Sequence, residues 1–274
     1  METMGCIHMK HLMNFLNEVN TSIKEEKTAL LLDYDGTLTP IVNTPDEAIL
    51  NDDMRSVLGK LKDNPNYIVA VISGRSLMDV KSKVELDGIC YAGNHGMEIE
   101  YLGDIYIHPD AKKKMQVIKK ICLESHPLLN GIEGVIIEDK GLTASIHYRM
   151  VSPKEIPKVK RIVESAIKPY IEKGDVKLTH GKMVQEIRPN ILWDKGKAVE
   201  WVLKAIGGTA SQKYFPVYIG DDRTDEDAFK FLKGKGITVL VSSKIKNSDA
   251  EFMLYNVDEV KRFLNWFITI NKKE

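Results

Sequence analysis

Carboxylates are the side chains of this sequence with the most chemistry to offer, and two groups of them follow short apolar runs. Asp33 and Asp35, in Asp33-Tyr34-Asp35-Gly36-Thr37, close the run Ala29–Leu32. Asp221, Asp222 and Asp225, in Gly220-Asp221-Asp222-Arg223-Thr224-Asp225, close the run Val217–Ile219. Short apolar runs ended by turn residues read as buried parallel strands. Open parallel sheets bind ligands beyond the carboxyl ends of their strands, so both groups stand where a site should assemble. Carboxylates gathered at one edge repel one another unless a cation lies among them. An all-oxygen donor set with few protein ligands suits Mg²⁺, which keeps waters and shares substrate phosphate oxygens. Taken singly, an aspartate after a strand is more often a turn residue or a helix cap. For Asp225, where a helical stretch begins, that plainer reading stays open; two clusters after two strands weaken it for the rest.

Other polar residues divide in the same way. Ser73 follows the apolar run Tyr67–Ile72 and either donates to a bound anion or caps the helical stretch Ser76–Val84. Lys195 and Lys197 stand at a helix start, where a cation opposes the helix dipole. A lysine there is most easily explained by an anion it must hold; Lys195 is the candidate and Lys197 a solvated neighbour. His95 and His147 lack an H-x-x-x-H partner, so each reads as a satisfied polar histidine. Cys6, Cys90 and Cys122 are odd in number and contain no C-x-x-C, which points to three reduced thiols in a cytoplasmic protein.

The elements that must position these residues alternate. Helical stretches at Asn51–Leu61, Ser76–Val84 and Lys197–Ile206, the last stopped by Gly207-Gly208, separate the apolar runs Ala29–Leu32, Tyr67–Ile72, Ile89–Ala92, Val217–Ile219 and Ile237–Val241. Strand–helix alternation implies right-handed crossovers and a parallel sheet. Leu12, Leu16, Val19 and Ile23 mark an amphipathic helix before the first run, and Asp258–Ile268 another at the far end. The middle differs. Amphipathic helices are expected at Ala111–Leu123 and Ile156–Ile171, a half-exposed alternating strand at Leu142–Tyr148, and a hairpin of Val176–Thr179 with Met183–Ile187. The architecture predicted is α/β: a doubly wound parallel-sheet core, residues 1–105 and 189–274, interrupted by an α+β module at 106–188. Residues 1–27 form an N-terminal extension that docks on the core, meets a partner or is disordered.

Composition bounds the function. The 274 residues are 43% hydrophobic and 28% charged, as in soluble globular chains. Lys plus Arg and Asp plus Glu are both 39, so no basic excess speaks for nucleic acid. No apolar run is long enough to cross a bilayer, and residues 1–10 carry no apolar signal core. Neither G-x-G-x-x-G after the first strand nor G-x-x-x-x-G-K-[ST] is present, against dinucleotide and Walker-type nucleotide binding. A small-molecule ligand and a monomer are expected.

Asp33-Tyr34-Asp35-Gly36-Thr37-Leu38-Thr39, Ser73, Lys195 in Asp194-Lys195-Gly196-Lys197-Ala198, and Gly220-Asp221-Asp222-x-x-Asp225 resemble, in order, the four motifs of the haloacid-dehalogenase-like (HAD) phosphatases. Ser73-Gly74-Arg75, Gly93-Asn94-His95-Gly96, Glu138-Asp139-Lys140-Gly141, His147-Tyr148-Arg149 and Gly181-Lys182…Glu186-x-Arg188-Pro189 extend the resemblance to the trehalose-phosphatase family, over residues 28–270. It implies a C2-type cap domain and hydrolysis of trehalose 6-phosphate, the last step of trehalose synthesis, through an aspartyl-phosphate. Related phosphatases of sucrose phosphate or mannosyl-3-phosphoglycerate are the alternative. Asp33 is then the nucleophile and Asp35 the general acid–base. Ser73 and Lys195 hold the phosphate. Mg²⁺ is bound by Asp33, the Asp35 carbonyl and Asp221, with Asp225 or Asp222 in support. Glu138, Lys140 and Glu186 are implied sugar contacts, and Arg75, Asn94, His95, Arg149 and Lys182 further substrate-side residues. Without the resemblance, Glu138 and Lys140 read as ordinary charges of a hairpin turn.

Overall fold

The two kinds of sequence pattern separate in space into two sheets. The computed structural model describes residues 9–23, 27–207 and 214–270; Cys6 and Gly208 lie outside them. In chain order the elements are β1 (Lys10–His11), α1 (Leu16–Ile23), β2 (Lys27–Leu32), α2 (Asp52–Lys62), β3 (Tyr67–Ile72), α3 (Leu77–Val84), β4 (Cys90–Gly93), β5 (Glu98–Tyr101) and β6 (Asp104–Ile107). There follow α4 (Pro109–Leu129), β7 (Ile136–Asp139), β8 (Ala144–His147), α5 (Ile156–Glu172), β9 (Val176–Gly181) and β10 (Val184–Pro189). The chain closes with α6 (Lys195–Gly207), β11 (Tyr214–Gly220), α7 (Asp225–Leu232), β12 (Ile237–Val241), β13 (Phe252–Leu254) and α8 (Val257–Ile270).

The first sheet has the order β1-β13-β12-β11-β2-β3-β4-β5-β6. It is parallel from β1 to β4, and β5 and β6 add an antiparallel edge. Strand β2 is apolar from Ala29 to Leu32 because both its faces are covered there. Leu30 and Leu32 enter one core with Met54, Leu58 and Leu61 of α2 and Phe263 and Phe267 of α8. Ala29 and Leu31 enter the other with Val199 and Val202 of α6 and Phe229 of α7. That is the doubly wound arrangement expected. Side-chain caps set helix starts: Asn51 accepts from the Met54 N–H, and Ser76 from that of Asp79.

The second sheet, β7-β8-β10-β9, is antiparallel. Ala144, Ile146 and Ile187 turn one of its faces into a core with Ile118 and Ile121 of α4 and Val159 and Val163 of α5. The period of two sends the neighbouring residues to the opposite face. There the register lines up Glu138, Ser145, Glu186 and Thr179 in one row. This polar row looks across at the carboxyl edge of the first sheet.

Several elements went beyond the sequence reading. The β5–β6 hairpin turns at Leu102 and Gly103, both at positive φ; a leucine there hides the usual Asn-Gly signal of such a turn. Helix α4 continues past Leu123 to Leu129, through Pro127. Strand β1 pairs with β13, and Leu12, Val19 and Ile23 are buried in the core, so this part of the N-terminal extension docks on the core. Cys90 and Cys122 are buried free thiols.

Candidate active site

The carboxyl ends of β11, β2 and β3 lie side by side, with β2 central. Asp33 prolongs β2, its N–H donating to the Ile219 carbonyl of β11 at 2.9 Å. The chain then turns through Gly36 at φ +87°, where a side chain would collide with the Asp221 carboxylate. Glycine therefore does two things here: it permits the turn and lets the two acidic loops close on each other. Carboxylate oxygens of Asp33, Asp221 and Asp225 converge within 4.8 Å of one another.

Lys195, the first residue of α6, is buried among them. Its ammonium lies 2.6 Å from Asp33 Oδ1 and 2.6 Å from Asp225 Oδ1. Asp225 Oδ1 also accepts from the Tyr218 hydroxyl at 2.7 Å, and Oδ2 from the N–H groups of Asp221 and Asp222 at 2.9 Å each. Both its oxygens are thus engaged inside the protein, and it fixes the loop that carries Asp221. Asp222 accepts from the Thr224 N–H at 2.6 Å and holds the same turn. Asp221 instead meets Lys182, at the tip of the β9–β10 hairpin, at 2.5 Å.

Burial drives the Asp33 carboxyl well above the ordinary range; Lys195 opposes this, and the charges of Asp225 and Asp221 add to it. Burial likewise lifts Asp221 to about 6, against Lys182 and with Asp225. Crowded, water-poor carboxylates of this kind fit a hard divalent cation: the donors are all oxygens, and each gains by having a positive charge near it. Asp33 and Asp221 have oxygens to spare for such an ion and Asp225 does not.

Behind this floor Arg75 is spent on protein partners. It makes a bidentate pair with Asp35, 2.8 Å for each bond, and also donates to Asp79 at 2.6 Å and to the Pro45 carbonyl at 2.9 Å. Ser73 is fully buried; its Oγ accepts from the Arg75 N–H at 3.1 Å, leaving the hydroxyl hydrogen to donate. The α3 cap is Ser76, so Ser73 does not cap that helix.

A cleft of about 800 Å³ separates this floor from the polar face of the second sheet. All but three of the candidate residues line it; Ser73, Asn94 and Asp225 stand behind its wall. Glu186 bridges the two modules, accepting from Lys140 at 2.6 Å and bonded to His95 Nε2 at 2.8 Å. Lys140 also donates to the Gly74 carbonyl at 2.8 Å. Asn94 donates to the Lys140 carbonyl at 3.0 Å and accepts from Thr143 at 2.6 Å, so its amide joins the β7–β8 turn to the core. Burial lowers His95 to about 4, with Glu186 opposing and Arg188 assisting. Burial alone would raise Glu186, yet His95 and Lys140 hold it well below the usual carboxylate range. Because His95 is neutral above about pH 4, Lys140, with Arg188 assisting, keeps Glu186 ionised at neutral pH. Glu138 is held low against its burial by a 2.8 Å bond to His147. Arg149 stands half-buried at the rim, donating to the Lys182 carbonyl.

Sequence reasoning missed Tyr218, the buried hydroxyl that helps hold Asp225. Its only signal was a polar tip in an otherwise apolar strand, two residues before Gly220.

A doubly wound core with four motif positions at one sheet edge, facing a separate α+β sheet, is the architecture of a HAD-like phosphatase with a cap. Comparison with known proteins supports this and narrows it. The family described as Trehalose-phosphatase matches residues 31–260, and the chain belongs to that family. Trehalose-phosphate phosphatase B of Arabidopsis thaliana is 35% identical over 283 residues, covering 99% of this chain and 74% of that protein. Trehalose 6-phosphate phosphatase RA3 of Zea mays is 38% identical over 256 residues, covering 88% and 70%. Among solved structures, the C-terminal domain of the C. albicans trehalose-6-phosphate phosphatase shares the fold with a TM-score of 0.81. It is 24% identical and covers 96% of this chain and 99% of that one.

Proposed function

We propose that this chain hydrolyses trehalose 6-phosphate to trehalose and phosphate, with residues 106–188 as a cap over a core made of the rest. The observation that carries the reading is the pairing of two walls in a chain of the trehalose-phosphatase family. Asp33, bonded to Lys195 beside Asp221, forms the floor; Glu138, Lys140 and Glu186 of the second sheet face it across the cleft.

The chemistry follows from where the groups stand. An Asp33 oxygen attacks phosphorus while the bond from phosphorus to the sugar oxygen breaks, and Asp35 gives that oxygen its proton. Water then attacks phosphorus, its proton passes to Asp35, and the Asp33–phosphorus bond breaks. Splitting the displacement makes each step easier, and a positioned acid–base group contributes roughly 10²–10⁴ in rate. Arg75 anchors Asp35 at the cleft edge, and Asp35 frees one oxygen from that pair to reach the sugar. Lys195 and the Ser73 hydroxyl hydrogen meet phosphate oxygens. Asp33 and Asp221, with the Asp35 carbonyl as in the family, would hold Mg²⁺, which when bound offsets the carboxylate charge facing the phosphate. Closing the cap excludes water and lets ionised Glu186 and Glu138 accept hydrogen bonds from sugar hydroxyls.

Phosphate release from a panel of trehalose 6-phosphate, sucrose 6-phosphate, glucose 6-phosphate and mannosyl-3-phosphoglycerate, in Mg²⁺ and in chelator, tests this. The expected result is strong preference for trehalose 6-phosphate, abolished by chelator. A different ranking would keep the core chemistry and overturn the sugar; full activity in chelator would remove the metal.

A further inference from the structure

One cleft residue has no task in the account so far. Arg188 stands two residues after Glu186 on β10, on the same face of the sheet, and lines the cleft. It is 7% exposed, and its Nε is buried without a hydrogen-bond partner. Among the described residues its side chain makes neither a hydrogen bond nor an ion pair. Buried guanidinium groups are ordinarily paired, since desolvating an unmatched charge is costly. Its neighbour across the sheet, Lys177, offers no acceptor, and donates instead to the Ile191 carbonyl at 3.1 Å. Arg75, the other buried arginine of the cleft, makes four hydrogen bonds, so the bareness of Arg188 is not general here.

Its position separates it from the phosphate end. The field of Arg188 bears on Glu186, His95, Lys177 and Asp227. Asp33 and Asp221 have Lys195 and Lys182 as their nearby cations. Residues two apart on a strand are about 7 Å apart, roughly the width of one pyranose ring. A sugar engaged by Glu186 and Lys140 therefore brings oxygens of its own or of an adjoining ring to Arg188. Glu186 accepts from hydroxyl hydrogens, and Lys140 already spends two of its three donors on Glu186 and the Gly74 carbonyl, so the cation still wholly unspent on this face is Arg188. The guanidinium fork, with donors in one plane, matches two neighbouring oxygens.

We infer that Arg188 is a specificity-determining residue whose fork donates to adjacent hydroxyl oxygens of the bound disaccharide. The inference depends on the substrate proposed above. The experiment compares the native enzyme with Arg188→Gln and Arg188→Lys. It measures kcat and KM for trehalose 6-phosphate, and inhibition by trehalose and by inorganic phosphate with p-nitrophenyl phosphate as reporter substrate. Losing a charged hydrogen bond predicts that Arg188→Gln raises both the KM and the trehalose inhibition constant by about 10- to 100-fold. Arg188→Lys, which keeps the charge without the fork, stays impaired severalfold, whereas a purely structural cation would be replaced well by lysine. Should the glutamine variant melt below the assay temperature, the lysine variant carries the same test. Unchanged KM and trehalose inhibition in a folded variant would overturn the assignment. So would a rise confined to the phosphate inhibition constant, which would move Arg188 to the anion. A native enzyme without preference for trehalose 6-phosphate would instead overturn the substrate, and this inference with it.

Discussion

Asp225 shows how much of this site is spent holding the rest of it. Four donors meet its two oxygens: Lys195, Tyr218 and the N–H groups of Asp221 and Asp222. Asp225→Ala should leave Lys195 with Asp33 alone and strand the loop donors, costing about 3–5 kcal/mol as for other broken buried pairs; denaturant unfolding measures it, and a loss under 1 kcal/mol would contradict the role. Asp33 has the opposite character, since among the described residues Lys195 is its one bonded side-chain partner. Asp33→Asn should cut turnover at least about 10⁴-fold, as when other catalytic nucleophiles are removed, while circular dichroism stays native. Residual activity above a few per cent would sink the nucleophile assignment. The types and places of these carboxylates were readable from the chain because strand-ending Asp residues are local features. The engagement of Asp225 on both oxygens was not, because its partners come from β11 and α6, and the α6 partner lies 30 residues away. Arg75 is a similar case: its bidentate grip on Asp35 spans 40 residues.

At the scale of elements, the carboxyl ends of β2 and β11 had to meet without a side chain between them, and Gly36 is where they do. Gly36→Ala adds a Cβ against Asp221 and puts a non-glycine residue at φ +87°. The left-handed backbone alone costs about 1–2 kcal/mol. The variant should melt lower and bind Mg²⁺ at least about tenfold more weakly by calorimetry; native metal affinity would show that the loops tolerate the spacing. Parallel strands and their helices were legible because buried strands are apolar on both faces and helices repeat every 3.6 residues. The β5–β6 hairpin was not, since four-residue strands carry little periodicity and its turn uses Leu102 where Asn would have signalled it. The short strands β1, β7 and β13 were missed for the same reason. Pairing, rather than local preference, makes them strands.

At the scale of the whole molecule, the cap meets the core through an apolar cluster of Ala111 and Leu142 with Met97 and through polar contacts, among them Glu186 to His95, Lys140 to the Gly74 carbonyl, Asn94 to the Lys140 carbonyl, Thr143 to Asn94, and Lys182 to Asp221. This interface has a pH dependence whose sign can be worked out. Burial holds folded His95 near about 4, against 6.5 when free. Between those values the unfolded chain binds more protons, so stability falls as pH drops from about 6.5 toward 4. The share of this one residue reaches about 3 kcal/mol. Glu186, held low in the fold, is stabilising above its unfolded value and loses that contribution at still lower pH, with the same sign. Denaturant unfolding at pH 7 and pH 5 should show the fall, and His95→Asn should flatten it; an equal slope in the variant would place the acid sensitivity elsewhere.

The central claim is a division of labour: the core performs the phosphoryl chemistry and the cap chooses the sugar. Its most direct test is kcat/KM for trehalose 6-phosphate and for p-nitrophenyl phosphate in the native enzyme and in Glu186→Ala. The account predicts that the ratio of the two falls by about tenfold or more, the loss of at least one charged hydrogen bond, because the small ester has no hydroxyls for Glu186 to meet. Equal losses on both substrates would contradict it, making Glu186 part of the core's chemistry or of the fold rather than of sugar choice.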